Sequence, residues 1–288
     1  MFFQTASYTD QGDTRPSNQD SYMVRTAHTA WGEIALAVIC DGMGGLAQGE
    51  LASAALITAF GAWFQEELPQ MMRQGLTEPL LAAQWNALVQ RTDAAIRRYG
   101  SQRDIRLGTT VTALLVVRER YYLMHVGDCR AYRIADGRAV QLTRDQTLAA
   151  RELRAGHITE EAYRTDVRRN VLLQCVGAGG PVVPALASGS CEGEAVFLLC
   201  SDGFYHTLEE PELAYLEQGQ VREDWLRQYL AVLGRLCRQR GEQDNLTALA
   251  LSCCRPSCEP TLLMEPGPAE PVWQILLDET QIHTRQTL

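Results

Sequence analysis

Residues 33–40, Glu-Ile-Ala-Leu-Ala-Val-Ile-Cys, are apolar at every position after the first. A run that is apolar on both alternating faces marks a strand covered on both sides. It stops at Asp41-Gly42, so a carboxylate sits at a strand terminus beside a glycine that lets the backbone turn. Residues 195–200, Ala-Val-Phe-Leu-Leu-Cys, repeat the device and end at Ser201-Asp202-Gly203. A third pair runs in the opposite sense, with Asp244-Asn245 just before the apolar run 246–251. Carboxylates at the ends of two strands and the start of a third are expected to meet on one rim of a sheet.

Residues 109–117 and 121–126 read as strands joined in a hairpin by Arg118-Glu119-Arg120, and a further strand over 130–134 leads to a turn at Asp136-Gly137. Helical periodicity is clearest at 50–68 and 78–99, the latter placing Leu81, Trp85, Leu88, Val89 and Ile96 on one face. Residues 211–216 and 223–239 also read as helices. Adjacent strands joined by short turns, with helices set apart from them, predict an α+β sandwich with mainly antiparallel pairing. From about residue 253 the composition changes, since five of the 11 prolines (256, 260, 266, 268 and 271) lie beyond it. The expected organisation is one domain over 1–252 and a proline-rich, flexible C-terminal tail over 253–288.

With 46% hydrophobic residues in 288, the chain can bury a sizeable core, and no uninterrupted apolar stretch approaches a membrane span. Met1 leads into Phe2-Phe3-Gln4 without a basic segment and long apolar run, so no secretion signal and a cytoplasmic location are expected. Nine cysteines, an odd number without regular spacing, fit reduced thiols better than a disulfide framework. The net charge of −9 argues against a nucleic-acid partner held through its phosphates.

A fourth acidic motif, Arg15-Pro16-Ser17-Asn18-Gln19-Asp20, places an arginine five residues before its aspartate. Carboxylates, backbone carbonyls and water suit hard cations such as Mg²⁺ or Mn²⁺, and a planar guanidinium suits a phosphate. The four motifs together predict carboxylates gathered around metal ions.

Eight motifs occur in order: Arg15-x-x-Asn-Gln-Asp, Asp41-Gly-Met-Gly-Gly, Gly108-Thr-Thr, Val126-Gly-Asp-Cys-Arg, Leu142-Thr-Arg-Asp, Arg169-Asn-Val-Leu, Leu199-Cys-Ser-Asp-Gly and Asp244-Asn-Leu-Thr. Together, over about residues 5–252, they resemble the bacterial branch of the PP2C-type (PPM) metal-dependent serine/threonine phosphatases. The resemblance implies a four-layer αββα sandwich, two antiparallel sheets flanked by helices, with two Mn²⁺ or Mg²⁺ ions in a channel at one edge. By matching position, Asp41 bridges the ions, the Gly42 carbonyl binds one of them, and Asp202 and Asp244 complete the protein ligands. Asp20 holds water from outside the ligand set, Asn245 orients its neighbours, and Arg15 grips the substrate phosphate. The implied chemistry is attack on phosphorus by a water that the two ions acidify, without a covalent phosphoenzyme. Phosphorylated proteins are the implied substrates, and a Ser/Thr kinase is the implied counterpart.

The departures carry expectations of their own. Met43 stands where several relatives have histidine. Asp128 matches a ligand of a third, weaker metal, but His206 stands where a second aspartate of that site is expected. His206 is therefore a candidate third-site ligand or proton donor. Gln146 replaces a frequent histidine, in a segment that resembles the flap beside the active site. Thr280 and Thr284, in the tail, are candidate phosphorylation sites through which a phosphothreonine-binding module would dock. Two other readings stay open: a phosphatase-shaped adaptor that binds phosphoproteins, and a hydrolase of small phosphate esters.

Overall fold

The computed structural model describes residues 1–43, 48–191, 193–219, 222–254, 273–284, 286 and 288. In chain order the strands are β1 (Phe2–Asp10), β2 (Ser21–Thr29), β3 (Gly32–Cys40), β4 (Gly42–Met43), β5 (Gly108–Thr109), β6 (Val111–Val117), β7 (Arg120–Val126), β8 (Arg130–Ala135), β9 (Arg138–Gln141), β10 (Ala185–Ser190), β11 (Ala195–Cys200), β12 (Leu246–Cys254) and β13 (Trp273–Gln281). The helices are α1 (Gly49–Glu66), α2 (Leu68–Gln74), α3 (Glu78–Arg103), α4 (Leu148–Arg154), α5 (Glu160–Thr165), α6 (Asp202–Tyr205), α7 (Glu210–Ala214) and α8 (Glu223–Gln239), with 3₁₀ turns at Val167–Asn170 and Tyr215–Gly219.

The strands form two antiparallel sheets, ordered β1-β12-β11-β8-β9 and β10-β7-β6-β3-β2-β13, beside a small β4-β5 pair. Strand β3 shows why the sheets stack. Ile34, Leu36, Val38 and Cys40 face α1 and α3, packing with Phe60, Trp63 and Trp85. The alternate residues Ala35, Ala37 and Ile39 face the other sheet and meet Phe197, Leu199 and Leu249. Strand β12 mirrors this: Leu249 and Leu251 lie between the sheets, while Leu246, Ala248 and Ala250 lie under α8. Both strands are therefore apolar at nearly every position, since each face has a covering layer. Burying a side chain such as Leu or Ile contributes about 1.5–3 kcal/mol. Helix α8 presents Leu226, Leu230, Leu233 and Cys237 at helical spacing, and Gly234 admits the Tyr8 ring, which a Cβ there would meet at 2.3 Å. The result is the αββα order expected from the motifs.

One expectation is corrected. Residues 273–281 are not part of a flexible tail but form β13, which pairs antiparallel with β2 at the edge of the six-stranded sheet. The first domain also reaches Cys254, the end of β12. The signal was a period-two alternation, Trp273, Ile275, Leu277 and Glu279 half-buried between exposed neighbours, which lies directly behind the prolines that define the tail in the sequence. The proline-rich stretch 255–272 itself lies outside the described residues. A bulge between Ile275 and Leu277 switches the strand's faces. Before it, Trp273 and Ile275 pack on the helix layer, Trp273 lying 5.5 Å from Phe64 between ring centroids. After it, Leu277 enters the layer between the sheets, where Glu279 accepts hydrogen bonds from Ser7 and from Tyr22 Oη (3.0 Å). Arg25 on β2 donates to Asp278 (2.8 Å) and to the Gly61 carbonyl of α1 (2.6 Å), tying strand, edge and helix together.

Candidate active site

Asp41 follows β3, Asp202 follows β11 through Ser201, and Asp244 precedes β12. Because β3 belongs to one sheet and β11 and β12 to the other, these chain positions bring carboxylates from both sheets to one end of the sandwich. There they line a cavity of about 260 Å³ with Arg15, Gly42, Asp128 and Asn245. With Met43, which also lines it, eight of the residues singled out in the sequence share one cavity. Gln19, Thr110, Asn170 and Leu172 line it as well and were not anticipated, although each belongs to a motif already recognised.

The Asp41-Gly42 turn is fixed from three sides. The Asp41 N–H donates to Thr110 Oγ1 (3.0 Å), and its carbonyl accepts from Thr110 N–H and Thr109 Oγ1 (both 2.9 Å). The Gly42 N–H donates to the Gln19 carbonyl at 3.1 Å. A Cβ at Gly42 would lie 2.4 Å from the Gly49 carbonyl oxygen and 2.5 Å from that of Gln19. Glycine here is a requirement of close backbone approach, not of a special φ.

Asn245 holds the Arg15 loop in place. Its Oδ1 accepts the Gln19 N–H (2.9 Å), and its Nδ2 donates to the carbonyls of Gln11 (2.8 Å) and Ser17 (3.2 Å). Arg15 Nη2 lies 2.5 Å from Asp244 Oδ2, and its side chain remains half exposed at the mouth.

The carboxylates strain against one another. Burial, then the charges of Asp20, Asp202 and Asp128, push Asp41 well above the usual carboxylate range. Asp128 is raised in the same way by burial and by Asp202 and Asp145. Burial and Asp244 lift Asp202 to about 6, against a 2.6 Å hydrogen bond from the Gly203 N–H. Asp20 is buried and does not itself line the cavity; it is raised to about 7, chiefly by burial, with the Thr247 and Ser201 hydroxyls pulling the other way. Its Oδ2 is buried and has no hydrogen-bond partner.

This donor set fits hard divalent cations. Carboxylates that repel one another, an orphaned buried carboxylate oxygen and a pinned backbone turn lack only positive charge. Among the described residues, no three His, Cys, Asp or Glu side chains converge to hold one ion between them. An ion would therefore take one or two carboxylates, the Gly42 carbonyl and water, a set that Mg²⁺ and Mn²⁺ accept.

The family model "Protein phosphatase 2C" matches residues 13–249, which spans every one of these carboxylates. The chain belongs to the protein phosphatase 2C family. A Streptococcus pyogenes protein named for the 2C-type phosphatases is 30% identical over 243 residues, 83% of this chain and 93% of that one. The serine/threonine phosphatase of S. agalactiae superposes with a TM-score of 0.75 at 26% identity, covering 87% of this chain and 99% of that one. The catalytic domain of the phosphatase PstP, solved with two manganese ions, gives 0.69 at 29% identity over 86% and 97% of the two chains. These relatives are bacterial phosphatases, and their fold is the two-sheet sandwich described above.

Within this family the chain's departures take physical form. His206 does not line the carboxylate cavity. It faces a neighbouring one of about 410 Å³ with Arg130, Tyr163, Arg169 and Tyr205, its Nδ1 4.0 Å from Glu242. Burial, then the charge of Arg169, lowers its pKa to about 4. The third-site and proton-donor roles expected of His206 would need it to face the carboxylate cavity, and here it faces the neighbouring one. The reason is local: α6 has four residues, and at its end His206 packs edge-on against Tyr205 at 4.8 Å.

Gln146 has a structural task. Its Oε1 accepts from the Gly127 N–H and from Gln174 Nε2 (both 2.8 Å), and its carbonyl accepts from the Leu173 N–H (2.8 Å). It therefore staples the turn that carries Asp128 to the rim segment after Asn170. The flap's α5 is anchored nearby, where Asp145 accepts a guanidinium fork from Arg130 (2.7 and 3.0 Å) and the Tyr163 hydroxyl (2.7 Å). Arg130 lies 3.8 Å over the Tyr205 ring.

Proposed function

We propose that this chain hydrolyses phosphoserine and phosphothreonine in proteins, using two Mn²⁺ or Mg²⁺ ions. The observation that carries the reading is one cavity in which Asp41, Asp202 and Asp244 face Arg15. Asp41, Asp202, Asp244 and the Gly42 carbonyl hold the ions, and Asp128 is a candidate ligand for a third. When bound, the ions acidify water at neutral pH and neutralise the charge of the phosphate.

The chain's own groups do the rest. Arg15, at the mouth, exchanges part of its contact with Asp244 for two oxygens of the substrate phosphate, which its planar fork matches. Asp20, itself buried, accepts a hydrogen bond from water with its orphaned oxygen. Asn245 and Gln19 keep Arg15 and Gly42 in register. Met43 and Leu172 supply apolar wall that limits stray water.

The natural counterpart is a Ser/Thr kinase acting on the same proteins. A cytoplasmic setting accords with two facts: among the described residues the cysteines are buried free thiols, and no helix is long and apolar enough to cross a membrane. Thr280, exposed on β13 with its hydroxyl 2.9 Å from Asp278, is the tail threonine best placed to carry a phosphate for a phosphothreonine-binding module. A tail free of phosphate in mass spectra of protein from its native cell removes that last reading.

The deciding experiment is hydrolysis of a phosphothreonine peptide with Mn²⁺, with Mg²⁺ and with excess chelator, beside Asp41→Asn. Metal-dependent turnover that vanishes in the variant is expected. No turnover from folded, Mn²⁺-loaded protein overturns the reading.

A further inference from the structure

Eleven large apolar side chains are exposed among the described residues, and five of them, Val167, Val171, Leu173, Val183 and Leu186, fall within one stretch of the chain. Single exposed apolar residues need no explanation, but a concentration of them does. This one starts at the site. The segment 170–173 alternates: Asn170 and Leu172 line the carboxylate cavity, while Val171 and Leu173 stand 48% and 42% exposed outside it. Val167 begins the 3₁₀ turn that ends at Asn170 and is 86% exposed.

The ledge is held rigid by polar groups beneath it. Leu148 N–H donates to the Val171 carbonyl and Leu173 N–H to the Gln146 carbonyl, both at 2.8 Å. The Gln174 amide clasps Val183 at both backbone groups, Nε2 to the carbonyl and Oε1 from the N–H, each at 2.9 Å. That clasp sets Val183, 68% exposed, next to the Leu173–Gln174 run. A flexible rim would lose entropy on docking; this one is ordered beforehand.

We infer that Val167, Val171, Leu173 and Val183 form a docking ledge for aliphatic residues next to the phosphorylated residue of a protein substrate. The inference rests on the phosphatase reading above and adds the class of sequence selected. The occupant follows from continuity: a chain whose phosphate reaches Arg15 in a cavity lined by Asn170 and Leu172 lays its neighbouring residues over the side chains that alternate with them. Aliphatic neighbours there bury apolar surface on both partners.

The test uses three substrates with the full-length, Mn²⁺-loaded enzyme: a phosphothreonine peptide flanked by Val and Leu, the same peptide flanked by Ser and Asn, and p-nitrophenyl phosphate. The aliphatic peptide is expected to exceed the polar one in kcat/KM by about tenfold, the scale set by one or two apolar contacts. The double variant Val171→Ser/Leu173→Ser is expected to remove that preference through KM, lowering the ratio of peptide to ester kcat/KM. Val167→Ser, at a position with almost no packing to lose, is expected to lower it by a smaller step. Equal kcat/KM for the two peptides, or an unchanged preference in both variants, overturns the ledge while ester turnover leaves the phosphatase reading intact. Absence of turnover on all three substrates overturns both.

Discussion

Arg15 Nη2 and Asp244 Oδ2 stand 2.5 Å apart although 229 residues separate them in the chain. The contact joins the loop between β1 and β2 to a residue two positions before β12. It also holds a guanidinium at the mouth over carboxylates that, among the described residues, have no other side-chain cation lining their cavity. Arg15→Ala should lower kcat/KM on a phosphothreonine peptide on the order of 10²-fold. Arg15→Lys should recover only part of that, because an ammonium lacks the planar fork. Steady-state kinetics at saturating Mn²⁺ check this, and an unchanged kcat/KM in Arg15→Ala would remove the arginine from the site.

Gly42 and Gly49 approach backbone to backbone, which links the Asp41-Gly42 turn to the start of α1. Gly42→Ala forces a Cβ into contact at 2.4 Å with a carbonyl that belongs to the helix. The expected cost is about 1–3 kcal/mol of stability, with a larger loss of Mn²⁺ affinity if the displaced Gly42 carbonyl is the ligand proposed above. Calorimetric Mn²⁺ titration gives the answer; wild-type affinity would show that the turn tolerates a side chain.

His125 is buried, its Nδ1 2.9 Å from Thr112 Oγ1 and its Nε2 without a partner. Burial lowers its pKa to about 4, against 6.5 for an unperturbed imidazole. Between those values the unfolded chain binds a proton that the folded chain refuses, so stability rises with pH. The contribution is complete above the unfolded value and is lost as pH falls through the folded one, on the order of 3 kcal/mol in all. His125→Gln should therefore show a shallower loss of denaturation midpoint between pH 7.5 and pH 5 than wild type. Parallel curves would count against a neutral buried imidazole.

Removing residues 273–288 takes Trp273 and Ile275 off the helix layer and leaves Arg25, whose side chain is 12% exposed, without Asp278. A fall in Tm of about 5–10 °C is expected for a chain of this size. It also uncovers β2 as an open edge, so the shortened protein should self-associate. Scanning calorimetry and size-exclusion chromatography read the two effects. An unchanged Tm with a monomeric profile would show that β13 is dispensable.

The site was more legible in the sequence than the frame around it. Asp41 and Asp202 could be read because each ends a strand buried on both faces, and such strands have an unmistakable composition. Strands β1 and β2 escaped, since Thr, Ser, Tyr and Gln, mostly half-buried along β1, and Ser and Thr, polar yet buried along β2, blur the pattern. β13 escaped because its alternation is short and follows a run of prolines. His206 was assigned by spacing, but spacing on a four-residue helix does not fix where the next side chain points. Gln146 looked like a lost functional group. Its actual work, bridging Gly127 and Gln174, depends on contacts between segments distant in sequence that no single stretch encodes.

The contact between Tyr22 and Glu279 spans 257 residues, and Asp244 reaches back 229 to Arg15. During synthesis the arginine emerges early, and its partner appears only when most of the chain has left the ribosome. A nascent chain already carrying Asp41 and Asp202 still has no Asn245 to hold the Arg15 loop, and its β2 edge waits longer for β13. A chain cut short after Asp202 therefore lacks both Asp244, the partner of Arg15, and the strand that covers β2.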